Sequence, residues 1–209
     1  HLEHATEIYI LGENTTMDGG ETYHDAMNMR CLNLVAENLK HTQEKAKTTY
    51  KRKVCHVMFD YQTTYSVFQF SDVSVDVKET LVFLPFNRYE SWARKVLVDC
   101  IDYSPLDGCE GIKYDDDKRV HFVIVGMSKM GIAMGVQALL QLHFPNYVRD
   151  KSLKSRITFI DTNADKEMAF FKGRYATLFE LVRHRYIDAN KCTVEQLNTQ
   201  DECSVAPDK

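Results

Sequence analysis

No stretch of this 209-residue chain approaches 18 consecutive apolar residues, which excludes a membrane-spanning helix within it. No secretory signal opens it. It also lacks an initiator methionine, beginning His1-Leu2-Glu3, and reads as a piece of something longer. There is no excess of positive charge: 26 Lys and Arg stand against 30 Asp and Glu, for a net charge of −4. That argues against general nucleic-acid binding, which needs a basic surface. None of the six cysteines forms a Cys-x-x-Cys pair, so the ligand spacing of a zinc site is absent. Cys31, Cys55 and Cys100 sit in apolar contexts and are expected as buried thiols, which fits a reducing cytoplasm. What is present is ordinary for a globular protein: 44% hydrophobic and 27% charged residues, enough chain for one substantial core or two small ones.

The most specific signal is local. Val120 to Val125 is a short apolar run rich in β-branched residues, as expected of a strand covered on both faces. Gly126 follows at once, then Met127, Ser128, Lys129, Met130 and Gly131. The pattern is Gly-x-Ser-x-x-Gly, one position away from the Gly-x-Gly-x-x-Gly turn that holds a pyrophosphate at a helix N-terminus. From Gly131 to His143 the period is helical, and Ile132, Val136, Leu139, Leu140 and Phe144 share a stripe expected to be buried. A second strand, Arg156 to Ile160, ends at Asp161, with Thr162 and Asn163 beyond it. A carboxylate at that tip accepts from ribose hydroxyls and repels a 2′-phosphate, so NAD(H) is favoured over NADP(H). Asp161 falls 30 positions beyond Gly131, against roughly 20 in the usual fingerprint. The polar, basic excursion from Asn146 to Ser155 absorbs the excess. The candidate cofactor-binding residues are therefore Gly126, Met127, Ser128, Lys129, Met130, Gly131, Asp161, Thr162 and Asn163.

Elsewhere, Thr6 to Gly12 reads as a strand and Glu13 to Thr22 as a loop. Tyr23 to Leu39 reads as a helix with Met27, Cys31, Leu34, Val35 and Asn38 on one face. The basic stretch His41 to Lys53 reads as a solvated helix end and linker. Val54 to Phe59 is a strand, and Tyr61 to Phe70 a short helix or irregular segment bringing Tyr65, Phe68 and Phe70 to a core. Leu81 to Phe86 is a short strand or extended arm. Asn87 to Cys100 is an amphipathic helix with Trp92, Val96 and Leu97 inward. The acidic run Asp115-Asp116-Asp117 reads as a solvated turn. Ala164 to Tyr186 reads as a helix burying Met168, Phe171, Tyr175, Leu178, Phe179 and Val182, with Arg174, Arg183, His184 and Arg185 exposed. The tail from Asp188 is polar. The organisation expected is 1–80, a linking helix and loop over 81–119, and 120–209.

Val120 to Ile187, on His121-Phe-Val-Ile-Val-Gly126, Gly131 and Ile160-Asp161, resembles the front half of a TrkA-N or RCK domain. That ligand-sensing Rossmann module regulates potassium conductance. His1 to Asp72 resembles the back half of the same fold, on Leu2 to Leu11, the helix with Asn28, and the strand Val54 to Phe59. The resemblance covers about two thirds of the chain. It implies an α/β, mainly parallel sheet with helices on both faces, built from the second half of one unit followed by the first half of another. Because a half sheet exposes an apolar edge, the halves are expected to complete each other within one chain or by strand exchange.

The function this implies is a cytoplasmic regulatory module that binds NAD(H) or another adenine nucleotide and carries no catalytic role. It would be homo-oligomeric and attached to further domains of a potassium transporter or channel, including a membrane pore. Two other functions fit the same residues. One is an assembly scaffold whose pocket is degenerate and holds nothing. The other is a fragment of an NAD-dependent oxidoreductase, although no acid–base constellation accompanies the turn and His121, His143 and His184 have simpler structural readings.

Overall fold

The computed structural model describes residues 2–12, 23–70, 73–99, 106–108 and 110–191. The chain is α/β and divides into two compact units, His1–Ser91 and Trp92–Lys209. Each holds one three-stranded, wholly parallel sheet. Among the described residues, no helix is long and apolar enough to cross a membrane.

In the first unit the sheet order is β1 (Glu7–Ile10), β2 (Lys53–Phe59), β3 (Leu81–Asn87). The crossovers are α1 (Tyr23–Ala46) and then α2 (Gln62–Phe70) with α3 (Val75–Thr80). The core forms where the inward residues of α1 meet alternate strand positions: Leu32, Ala36 and Leu39 pack with Ile10, Cys55, Val57, Phe59, Val77 and Leu81. Phe59 stacks on Phe68 at 5.2 Å, and Phe83 meets both rings edge-on. The buried face of α1 is therefore not the Met27–Cys31–Leu34–Asn38 stripe. Met27 and Leu34 are exposed, as are Cys31 and Asn38. The inward side carries two buried polar residues, Asp25 and Asn28, which apolar counting passes over. Cys55 is buried as expected, and burial first, then Cys31, pushes its thiol up to about 11. Cys100 and the loop from Glu13 to Thr22 lie outside the described residues, as does the Phe70 side chain.

Leu81–Asn87 forms seven register pairs with β2, so residues 81–91 belong to the first unit rather than to a link. The helix that follows is short: α4 (Arg88–Arg94) runs into a π-helical turn, Lys95–Asp99. Trp92 faces solvent at 58% exposure, with the Lys95 ammonium over its ring at 5.4 Å, so Trp92 is not the inward residue that helical spacing predicts.

In the second unit the order is β4 (His121–Val125), β5 (Arg156–Asp161), β6 (Arg183–Asp188). The crossovers are α5 (Lys129–Gln141), with the short α6 (Asn146–Arg149), and α7 (Ala164–Phe179). Ile124, Ile157 and Phe159 from the strands pack with Val136, Leu139, Leu142, Met168, Phe171, Phe179 and Val182. Leu140 falls outside this stripe, at 47% exposure. The helix expected to run to Tyr186 ends at Phe179, and Arg183–Asp188 is a strand. Its polar Arg-His-Arg start hides the strand in sequence, because the pairing with β5 is made by backbone groups along the whole segment. The acidic run caps a turn: Asp116 accepts from Lys113 N at 2.8 Å, and Asn146 Nδ2 donates to the Asp116 and Lys118 carbonyls. Among the described residues no cluster of His, Cys, Asp and Glu has the makings of a metal site.

Candidate functional site

The nine predicted site residues do converge, at the C-terminal ends of β4 and β5, where open α/β sheets hold ligands. β4 ends at Val125, and Gly126 turns the chain with φ +93°, a left-handed conformation that favours glycine. Its N–H donates to Ile160 O at 2.8 Å, tying the turn to the tip of β5. Ser128 then caps α5: its extended backbone (φ −63°, ψ 173°) starts the helix and its Oγ accepts from Gly131 N at 3.3 Å. Gly131 is where α5 crosses closest to the turn. A Cβ there would lie 1.9 Å from Gly126 O, so this position takes only glycine. Met127 is buried at 4% exposure, and its side chain packs into the core below. Lys129 and Met130 are half-buried on the first turn of α5.

Asp161 sits across from this turn. Its Oδ2 accepts from Met127 N at 2.7 Å and its Oδ1 from Asn163 N at 2.8 Å. The backbone donors of Asn163 and then Met127 hold its carboxyl below the usual carboxylate range, against burial and the like charge of Asp188. Asp161 is therefore an anion at neutral pH, fastened to the glycine turn. The Thr162 side chain adds a further hydrogen bond to this carboxylate. Thr162 and Asn163 carry the chain into α7, and the Thr162 carbonyl accepts from Asn190 Nδ2 at 3.0 Å.

Sequence reasoning passes over the third strand tip. Asp188 lies in register with Asp161 and is held low by Lys191, whose ammonium stands 2.9 Å from it and 3.3 Å from Asp165. The helical reading of Ala164 to Tyr186 conceals this placement. The histidines lie elsewhere: His121 bonds Thr158 Oγ1 at 2.8 Å and His184 packs edge-on to Phe179 at 5.0 Å. Both stand at the starts of their strands, the opposite ends from the glycine turn.

The first unit has its own polar cluster at strand tips. Asp25, 1% exposed, accepts from Asp60 N at 2.8 Å and Tyr61 N at 3.2 Å. His24 bridges it to the Leu11 carbonyl, with ring nitrogens 3.1 Å from each. Asn28 donates to Met58 O and Asn87 to Phe59 O, both at 2.8 Å. These bonds close the ends of β1 and β2 against α1 and act as structural ties. No family model, curated protein or solved structure matches this chain.

Proposed function

We propose that the second unit is a regulatory nucleotide-binding module, taking NAD(H) in preference to NADP(H), within a larger potassium-transport or channel-like protein. The observation that carries the reading is the Asp161 carboxylate, ionised and fixed at the tip of β5 beside a turn of Gly126, Ser128 and Gly131. The residues fit a dinucleotide. Gly126 and Gly131 keep Cβ atoms out of the turn, and the N-terminus of α5 presents amide donors and positive potential to a pyrophosphate. Ser128 departs from the glycine pattern, but its Oγ accepts from Gly131 N and so keeps its own hydrogen to donate to a phosphate oxygen. Asp161 would accept from the ribose hydroxyls and repel a 2′-phosphate. Regulation requires only that the ligand bind one arrangement of the attached protein better than another, and no residue here is assigned a chemical step.

Thermal unfolding with NAD, NADH, NADP and ADP tests this. Ligand at 100 times its Kd stabilises by about 2.7 kcal/mol. We expect that shift with NAD or NADH, a smaller one with NADP, and loss of the preference in Asp161→Asn. The scaffold alternative draws on the same contacts, since the acid and the Met127 amide already satisfy each other. It is the better reading if none of the four ligands shifts the transition, and turnover of an alcohol or aldehyde with NAD would favour the oxidoreductase.

A further inference from the structure

The end of the second sheet away from the glycine turn carries the opposite charge. β4 and β5 are in register at His121 and Arg156, and β5 and β6 at Arg156 with Arg183 and at Thr158 with Arg185. Side chains alternate across a strand, so residues paired in this way share a face. Ile124, Ile157 and Phe159 pack into the core with α5 and α7. His121, Arg156, Thr158, Arg183 and Arg185 therefore stand together on the other face. Neighbouring strands lie about 4.8 Å apart and alternate residues about 6.6 Å apart, so these positions fall in a patch roughly 10 Å by 7 Å. The Thr158 residue is 4% exposed, and its Oγ1 is bonded to the His121 ring at 2.8 Å. The field here is positive: burial, then Arg156, Arg119 and Arg185, pushes the His121 pKa below the ordinary imidazole value. Asp150 is the acid on this side, near Arg149 and Arg183, and its Oδ1 accepts from Ser152 N at 2.8 Å. Asp161, Asp188 and Asp165 gather instead around the far ends of the strands.

We propose that this face is a second ligand site, which takes the phosphate group of a small phosphorylated molecule among Arg119, Arg156, Arg183 and Arg185, beside His121. Guanidinium groups present paired N–H donors in a fixed fork that matches the oxygens of a phosphate. Several full positive charges within one small patch match a group that carries about two negative charges at neutral pH better than a single carboxylate. A long polyanion fits less well: the basic patch is short, and the carboxylates of Asp161, Asp165 and Asp188 at the other end of the same strands repel one that extends past it. The His121 ring links the site to pH. An anion set among these arginines offsets their field at the imidazole, so binding raises the His121 pKa. By reciprocity, a charged His121 binds the anion more tightly than a neutral one. The site stands apart from the glycine turn and does not rest on the nucleotide reading.

Nuclear magnetic resonance of the histidine rings in the whole chain tests this, with inorganic pyrophosphate as the probe and His121→Gln identifying the His121 signal. The expected result is a His121 titration midpoint that moves up as pyrophosphate is added. Sodium chloride at the same ionic strength should move it much less, because it only screens the arginines. Arg119 and Arg183 are exposed, so the double variant Arg119→Gln with Arg183→Gln keeps the fold, which circular dichroism checks. Its pyrophosphate affinity, read at the same signal, should fall about tenfold or more. Arg156→Gln, on the central strand, should have an effect of the same size. A midpoint that pyrophosphate leaves in place at millimolar concentration, an equal response to sodium chloride, or variants with wild-type affinity would each overturn the proposal. The two sites fail separately. A normal His121 response in a protein that NAD does not stabilise removes only the nucleotide reading, and NAD binding without a His121 response to pyrophosphate removes only this one.

Discussion

Asp161 does two jobs with one carboxylate, and its titration separates them. Backbone donors from Asn163 and Met127 lower its pKa in the folded protein. A depressed carboxyl contributes stability that is present above the unfolded value, about 4, and is lost as pH falls through the folded value. Asp161→Asn removes the charge but keeps an acceptor oxygen and the shape. The variant is expected to melt below the wild type at pH 7, and the gap should close as pH falls beneath about 4. Unfolding midpoints of both proteins between neutral and acid pH measure this. Parallel curves would mean that the Met127 and Asn163 contacts contribute nothing through charge. Asp188 adds a like charge in register with Asp161, yet Lys191 stands against it, so the acid pair does not by itself reverse the direction.

The same turn shows what a helix demands of its neighbours. α5 lies close enough to the β4 turn that Gly131 has no room for a methyl group against the Gly126 carbonyl, a backbone atom that cannot swing aside. Gly131→Ala should destabilise by about 2–3 kcal/mol. At Gly173 in α7 an added Cβ would meet nothing within 4 Å, and Gly173→Ala should stabilise by about 0.4–1 kcal/mol through the unfolded chain. Chemical denaturation of the two variants distinguishes a glycine required by packing from one that is not; equal effects would refute the close approach. Elements of this kind were legible in the sequence: an unbroken apolar run, a glycine turn, a periodic helix and an acid at the next strand tip leave few arrangements. The buried face of α1 was not, because Met27, Cys31 and Leu34 compete with Leu32, Ala36 and Leu39. The deciding residues are polar: Asp25 and Asn28 go inward because the amides of Asp60 and Tyr61 and the carbonyl of Met58 need partners. β6 was hidden for the related reason that its pairing is carried by backbone, while its opening side chains, Arg183, His184 and Arg185, are all basic or imidazole.

At the scale of the whole chain, two cores are built from separate strands and helices, one around Phe59 and Leu32, the other around Phe159 and Leu139. Each has its own aromatic cluster. In the second unit Phe159 meets Phe171 edge-on at 5.3 Å and Phe179 at 6.4 Å, and it also fills the space beside Gly135. Domains with their own cores unfold as their own cooperative units. Phe159→Ala removes a fully buried ring, which costs about 3–5 kcal/mol. That loss should fall on the second unit alone. Amide hydrogen exchange followed by mass spectrometry is expected to show peptides from β4, β5 and α5 exchanging faster, with β1, β2 and α1 unchanged. Protection lost to the same extent in both sheets would mean one cooperative molecule instead of two.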